Sequence, residues 1–316
     1  MIDTMSISMY ALIAILAFPL GYIANQSGTC LVAAAQEVLY FRRAWLIGGI
    51  ALAAMSSTMI FLLLPWVVES KLILIPTFPD KLNLIIGAIL LGVGAFINDA
   101  CLLGSLGRIG NGELRMFALP FGLAIGLLLT KRTFLDSRSV QPPYFSELTQ
   151  PTLTSYLLTT LTCVFLLTVL INAERHRKIP LGSTLRVTLF GIAGGLIFTI
   201  KPNWTLASLV DDLTSERAFT ISFIAVLATL AGSVVSSRRL GTFTLKLPSA
   251  HSLVKTIIAG GLMGSGIALI PGGNDSLLLQ ALPSSSFSAL LALTTMFITI
   301  LLPITIVKLI TGHRMH

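Results

Sequence analysis

Two cysteines hold the most reactive groups in the chain, and both follow a polar interruption of an apolar run. Cys30 closes Asn25-Gln26-Ser27-Gly28-Thr29-Cys30, and Cys101 closes Asn98-Asp99-Ala100-Cys101. A thiol at the start of a helix faces the positive end of the helix dipole, which favours thiolate and sulfur chemistry. The competing reading is that cysteine serves there as a small apolar residue at a helix contact. Position alone leaves both open for Cys30 and Cys101, whereas Cys163, inside TCVFLLTVL with no interruption nearby, reads as packing.

Two further interruptions, Lys201-Pro202-Asn203-Trp204 and Pro271-Gly272-Gly273-Asn274-Asp275, occupy corresponding places later in the chain. Together the four supply neutral donors (Asn25, Gln26, Ser27, Thr29, Asn98, Asn203, Asn274), the free backbone of Gly273, and helix N-termini, which suit an anion in a low-dielectric setting. Free backbone at membrane depth is tolerated only where it lines a cavity or is buried in protein, so the four breaks predict one shared polar site. Ordinary turns at the membrane interface are the alternative for any single break. Asp99, Lys201 and Asp275 admit two roles, an ion pair between Lys201 and one aspartate or a part in substrate or proton handling.

The elements that must position these residues are membrane helices. Of 316 residues, 54% are hydrophobic and 11% charged, with a mean hydropathy of +0.90, against roughly 25% charged in soluble domains. That composition excludes a soluble enzyme. Runs such as 44–66 and 287–309 are apolar on every face and strand-like alternation is absent, so an all-α polytopic bundle is expected rather than a barrel. Nine long apolar segments lie near residues 7–24, 45–67, 82–97, 114–130, 152–172, 185–200, 218–236, 253–270 and 287–309, and four of them resume as short segments after the breaks. The first run lacks a basic leader and a small-residue cleavage site, and reads as a retained helix. Cysteines and histidines stand at no metal-ligand spacing, there is no G-x-x-x-x-G-K-[ST], and no cofactor or nucleic-acid partner is expected. The net charge of +8 is read as cytoplasmic loop bias.

The chain also reads as two similar halves. GYIANQSGTCLVAAAQEVL from Gly21 lies over GLIFTIKPNWTLASLVDDL from Gly195, with Glu37 against Asp211. LLGVGAFINDACLLGSL from Leu90 lies over LMGSGIALIPGGNDSLL from Leu262, with Gly92 and Gly94 on Gly264 and Gly266. The offsets, 174 and 172, nearly agree. The expected division is a first repeat over 1–130, a linker with one transmembrane helix over 131–183, and a second repeat over 184–316. Counting each broken segment as one crossing places 14 of the 21 basic residues on one side. That puts the N-terminus outside, the C-terminus in the cytoplasm and the second repeat inverted.

The same residues carry a family resemblance. GYIANQSGTCLVAA around Cys30, LGVGAFINDACLLGSLGRIGNGEL around Cys101 and GGLMGSGIALIPGGNDSLLL resemble the YeeE/YedE family of inner-membrane proteins, whose sulfur-transport domain is associated with thiosulfate uptake. Gly94 to Cys101, Gly104 and Arg108-Ile109-Gly110-Asn111-Gly112 keep the family spacing. The resemblance implies a permease that passes a small sulfur anion along cysteines, here Cys30 and Cys101. Asn25, Ser27, Thr29, Asn98, Gly273 and Asn274 would then be further contacts. It also implies a cytoplasmic sulfur-carrier partner of the TusA type, and allows a persulfide relay. A non-sulfur cargo on the same fold is the third reading. One departure stands out: the spacing places a further cysteine at Gly273, beside Asn274, and neither is one.

Overall fold

The computed structural model describes residues 4–27, 29–67, 74–76, 81–135, 145–147, 181–202, 204–216, 218–270, 272–283 and 287–311. Apolar runs with no water to bond their backbone must satisfy it internally, and among the described residues they fold as helices. The first six are α1 (Thr4–Ser27), α2 (Leu31–Gln36, running into a π turn, Glu37–Phe41), α3 (Trp45–Val67), α4 (Lys81–Asn98), α5 (Leu102–Gly110) and α6 (Leu119–Thr130). A 3₁₀ turn, Leu114–Ala118, leads into α6 and a π turn, Lys131–Leu135, leads out. The next six are α7 (Leu181–Ile200), α8 (Leu206–Thr214), α9 (Thr220–Arg239), α10 (Ala250–Leu269), α11 (Asn274–Ser276, running into a π turn, Leu277–Ala281) and α12 (Phe287–Thr311). The expected helix at 152–172 lies outside the described residues.

Seven helical stretches among the described residues are long and apolar enough to cross a bilayer, and Trp45–Phe61 is a shorter apolar helix. Their outer faces confirm the solvent they need. Phe121, Ile125 and Leu129 on α6, and Ile298, Leu302 and Ile306 on α12, are exposed at helical spacing. Such stripes are stable against lipid and a liability in water. The protein is therefore a multi-pass membrane protein. One feature differs from an all-helical expectation: β1 (Leu74–Pro76) and β2 (Phe145–Glu147) form a three-residue antiparallel ladder, Leu74 opposite Glu147. The ladder joins two connections that leave the apolar helices, where free backbone groups of one loop pair with those of the other.

Inside a membrane, helices gain no hydrophobic drive from meeting one another, so close backbone approach at small residues has to supply the contact. Here α1 packs on α9 and α3 on α7, while α6 packs on α10 and α4 on α12; α4 also packs on α10, and α1 on α7. Glycines set these distances. A Cβ on Gly126 would stand 1.9 Å from the Gly261 carbonyl oxygen, and one on Gly264 2.2 Å from that of Leu123, which locks α6 against α10. The two G-x-G pairs each serve two neighbours. Gly92 meets Thr299 of α12 and Gly94 meets Met263 of α10, while Gly264 meets α6 and Gly266 meets Gly87 of α4. These motif glycines are packing residues.

Gly126→Ala should lower the unfolding temperature of the detergent-solubilised protein, since overpacking a fixed backbone contact costs ~1–3 kcal/mol. Gly48→Ala, where an added Cβ meets nothing within 4 Å, should leave it unchanged or slightly raised. A thermal-shift assay compares the two, and equal melting would disprove the tight α6/α10 contact.

Candidate functional site

Helix α4 stops at Asn98, and its stop frees carbonyls that a continuing helix would have paired. Asp99 turns into the left-handed region at φ 60°, and Cys101 is extended at φ −75°, ψ 175° as the N-cap of α5. Three carbonyls at the break are captured by side chains. The Asn98 oxygen accepts from Arg115 Nη2 at 3.2 Å, the Asp99 oxygen from Arg108 Nη2 at 2.8 Å, and the Ala100 oxygen from Asn98 Nδ2 at 3.1 Å. Asn98 Nδ2 also donates to Ser105 Oγ at 2.9 Å. A buried unpaired carbonyl costs ~1–3 kcal/mol or more, so these side chains are what allow the break.

The break after α1 is built differently. Ser27 Oγ donates back to the Ile23 carbonyl at 2.6 Å, and Asn25 Nδ2 lies 3.1 Å from the Gly107 oxygen, 3.0 Å from Asn111 Oδ1 and 3.1 Å from Ser233 Oγ. Asn25 thereby ties α1 to α5 and α9. Cys30 is the N-cap of α2, in extended backbone at φ −97°, ψ 123°. The two N-cap thiols meet, with Cys101 Sγ 3.4 Å from Cys30 Sγ. Gly104 makes the meeting possible, because a Cβ there would stand 2.7 Å from Cys30 Sγ.

Beside the thiols lies a cavity of about 240 Å³, lined among others by Asn25, Thr29, Cys30, Gly104, Arg108 and Asn111. Cys101 is fully buried behind Cys30. Asp99 and Arg108 also line a larger opening of about 430 Å³. At the cavity edge the Asp99 carboxylate is held by Lys255 Nζ of α10 at 2.9 Å, so the ion pair expected for Lys201 goes instead, for this aspartate, to Lys255.

In the second half the breaks precede α8 and α11. Thr205 caps α8 by accepting from Ser208 N at 3.2 Å, Gly272 turns at φ +83°, and Gly273 is the N-cap of α11. Asp275 Oδ1 accepts from Ser276 N at 3.0 Å. Trp204 Nε1 and Asn274 Oδ1, like Asn98 Oδ1 in the first half, are buried with no hydrogen-bond partner among the described residues. In the alignment of the halves Trp204 stands where Cys30 stands, and Gly273 where Cys101 stands. Gly28, Asn203 and Pro271, parts of three of the breaks, lie outside the described residues.

Of the residues singled out from sequence, Asn25, Thr29 and Cys30 share one cavity wall and Cys101 touches Cys30. Ser27 and Asn98 give their donors to the backbone around the breaks, and Gly273 and Asn274 start α11. Arg108 as a holder of the break, Arg115, Asp99 with Lys255, and the permissive Gly104 were not foreseen as a group. The Arg-Ile-Gly-x-Gly run was the one available signal, since a charged residue on a short membrane helix needs a partner.

A polytopic helical bundle with broken spans and a polar, thiol-bearing cavity between them is the architecture of a membrane transport protein. The family described as Sulphur transport matches residues 26–210 and 180–302. The chain belongs to this sulfur transport family, the YeeE/YedE family, which is a family of transporters. No curated protein matches it.

If the thiols are neighbours, brief treatment of the purified protein with diamide should link Cys30 to Cys101, read as a joined peptide pair by mass spectrometry. The link should persist in Cys163→Ser. Absence of that peptide pair under conditions that oxidise exposed thiols would refute the contact.

Proposed function

We propose that the protein is a permease of the cell inner membrane for a small sulfur-containing anion such as thiosulfate. The observation that carries this reading is the pair of N-cap thiols 3.4 Å apart at a polar cavity. A thiosulfate ion offers a soft terminal sulfur to the thiols and three oxygens to harder donors. Thr29 and Asn25 stand on the same wall, Cys101 takes the sulfur after Cys30, and Gly273 with Asn274 supplies backbone and amide donors where the family spacing expects another cysteine. Several weak contacts in sequence let the ion leave as readily as it enters.

The path lies between two inverted repeats, residues 1–130 and 184–316, joined by 131–183. What supports the repeat is the packing scheme itself. Exchanging α1–α6 for α7–α12 turns α1/α9 into α7/α3, α4/α12 into α10/α6, and α2/α12 into α8/α6, and every one of these pairs is in contact. Lysines follow the same exchange: Lys131 after α6 pairs with Asp211 of α8, and Lys308 of α12 donates to the Leu39 carbonyl after α2. The side rich in basic residues faces the cytoplasm, where a sulfur-carrier protein of the TusA type would receive the cargo.

The thiol contact also favours a second reading, a sulfur relay. A Cys30 thiolate would take the outer sulfur of thiosulfate, breaking its S–S bond, forming a persulfide and releasing sulfite. Attack by a thiolate of the carrier on the outer persulfide sulfur would then move that sulfur on and restore Cys30.

Radiolabelled thiosulfate uptake into vesicles holding the purified protein tests both. The permease predicts uptake in preference to sulfate, reduced at least about tenfold, the equivalent of ~1.4 kcal/mol, in Cys30→Ala and in Cys101→Ala. Full uptake by both variants would sink the cysteine path and move the cargo away from sulfur anions. Persulfide trapped on Cys30, with sulfite released in equal amount, would replace passage by relay.

A further inference from the structure

The opening of about 430 Å³ shares Asp99 and Arg108 with the thiol cavity but is a different chemical environment. Arg108, Arg115, Lys246 and Lys255 line it, against the two carboxylates of Asp99 and Glu113. One carboxylate, Glu113, is divided among three cations, at 3.3 Å from Arg108, 3.5 Å from Arg115 and 3.3 Å from Lys246. The other, Asp99, takes Lys255. Four positive charges against two negative ones leave an excess of two.

The cations differ in freedom. Arg108 and Arg115 are fixed, because each has one nitrogen on a carbonyl of the α4 break. Lys246 and Lys255 are the exposed members, with side chains 63% and 38% accessible, and both are held only by carboxylates. Fixed guanidiniums set a field inside a concave wall, and such a cleft concentrates counter-ions. Ammonium and guanidinium donors in that arrangement match a compact dianion with oxygens on all sides.

We propose that this vestibule is a binding site for a free divalent oxyanion of the sulfate type, distinct from the thiol pair, in which the anion replaces the Asp99 carboxylate at Lys255. The site holds its ligand by charge and needs no sulfane sulfur and no thiol. It stands whether or not the cargo of the thiol path is thiosulfate. Because Asp99 lies on the walls of both cavities, an anion that frees it from Lys255 also changes the charge facing Cys30.

The test is binding of radiolabelled sulfate to the purified protein in phosphatidylcholine nanodiscs. Saturable binding is expected for the wild type, weakened at least about tenfold in the double variant Lys246→Gln/Lys255→Gln and preserved in Lys246→Arg/Lys255→Arg, which shows that the fold tolerates change there. Cys30→Ala/Cys101→Ala should bind sulfate like the wild type. No saturable binding, equal binding by the glutamine variant, or loss in the cysteine variant would each overturn the proposal. Loss of sulfate binding in phosphatidylglycerol nanodiscs would overturn it too, by giving the site to a lipid headgroup. Sulfate binding that persists while thiosulfate uptake is absent from wild-type vesicles would refute the permease reading and leave the vestibule standing.

Discussion

The centre of the first half depends on three backbone carbonyls, those of Asn98, Asp99 and Ala100. A helix that stops at membrane depth must find partners for the groups it frees, since no water is at hand in hydrocarbon and each orphan costs several kcal/mol. Arg115, Arg108 and Asn98 itself provide them. This brings the Arg108 guanidinium to the cavity beside the thiol pair and leaves neither it nor Arg115 as an uncompensated charge, because both share Glu113. Remove the capture and the break has no stable geometry; keep it, and Cys101 is fixed at the start of α5 with its sulfur toward Cys30.

That geometry in turn requires backbone to approach backbone. Gly94 allows α4 to rest on Met263 and Ala259 of α10, and Gly92 allows it to rest on α12. With both faces of α4 engaged, its C-terminal end is held in place when it breaks. Gly104 then leaves room for the Cys30 sulfur against α5. Small residues thus do two separate jobs within one short stretch: they set the position of the break, and they open the space that the thiols occupy. Both follow from the absence of a hydrophobic drive between helices in lipid, which makes contact distance the main source of affinity.

Much of this was legible in the chain. Apolar length gave the spans, the polar interruptions gave the breaks, and cysteines placed directly after two of them gave the thiols. The contact between those thiols was not legible, because Cys30 and Cys101 are 71 residues apart and meet only through the packing of α1 on α5. Residue type left the partners of the polar side chains open. Ser27, Asn98 and Asn25 were read as donors to an anion; in the structure Ser27 Oγ donates to the Ile23 carbonyl one turn back in α1, Asn98 to the Ala100 carbonyl at its own break, and Asn25, on the cavity wall, joins three helices. A polar side chain in lipid first serves the nearest unpaired backbone group, and sequence cannot say whether any donor remains after that. The Lys255 partner of Asp99 was hidden for a related reason: opposite charges 156 residues apart carry no pattern in a linear reading.

The two halves differ where their backbones correspond, and the difference has a steric side and a polar side. A Cβ at Gly273 would come within 2.4 Å of Leu102 Cδ1 and 2.6 Å of Asp275 Oδ1, so a cysteine there would make the ends of those two side chains shift. A residue with a side chain at 273 would share its space with the neighbour of Cys101. On the polar side, three carbonyls before α5 are matched by Arg108, Arg115 and Asn98, while among the described residues the Asn98 amide oxygen, the Trp204 indole N–H before α8 and the Asn274 amide oxygen of α11 are buried without a partner. Buried polar groups are costly when left single. An anion brings acceptors and no hydrogen, so of these three groups only the indole N–H of Trp204 gains a partner from it, and the two amide oxygens do not. In the proposed path the unpaired donor at the breaks of the second half is thus Trp204, in the place that Cys30 holds in the first half.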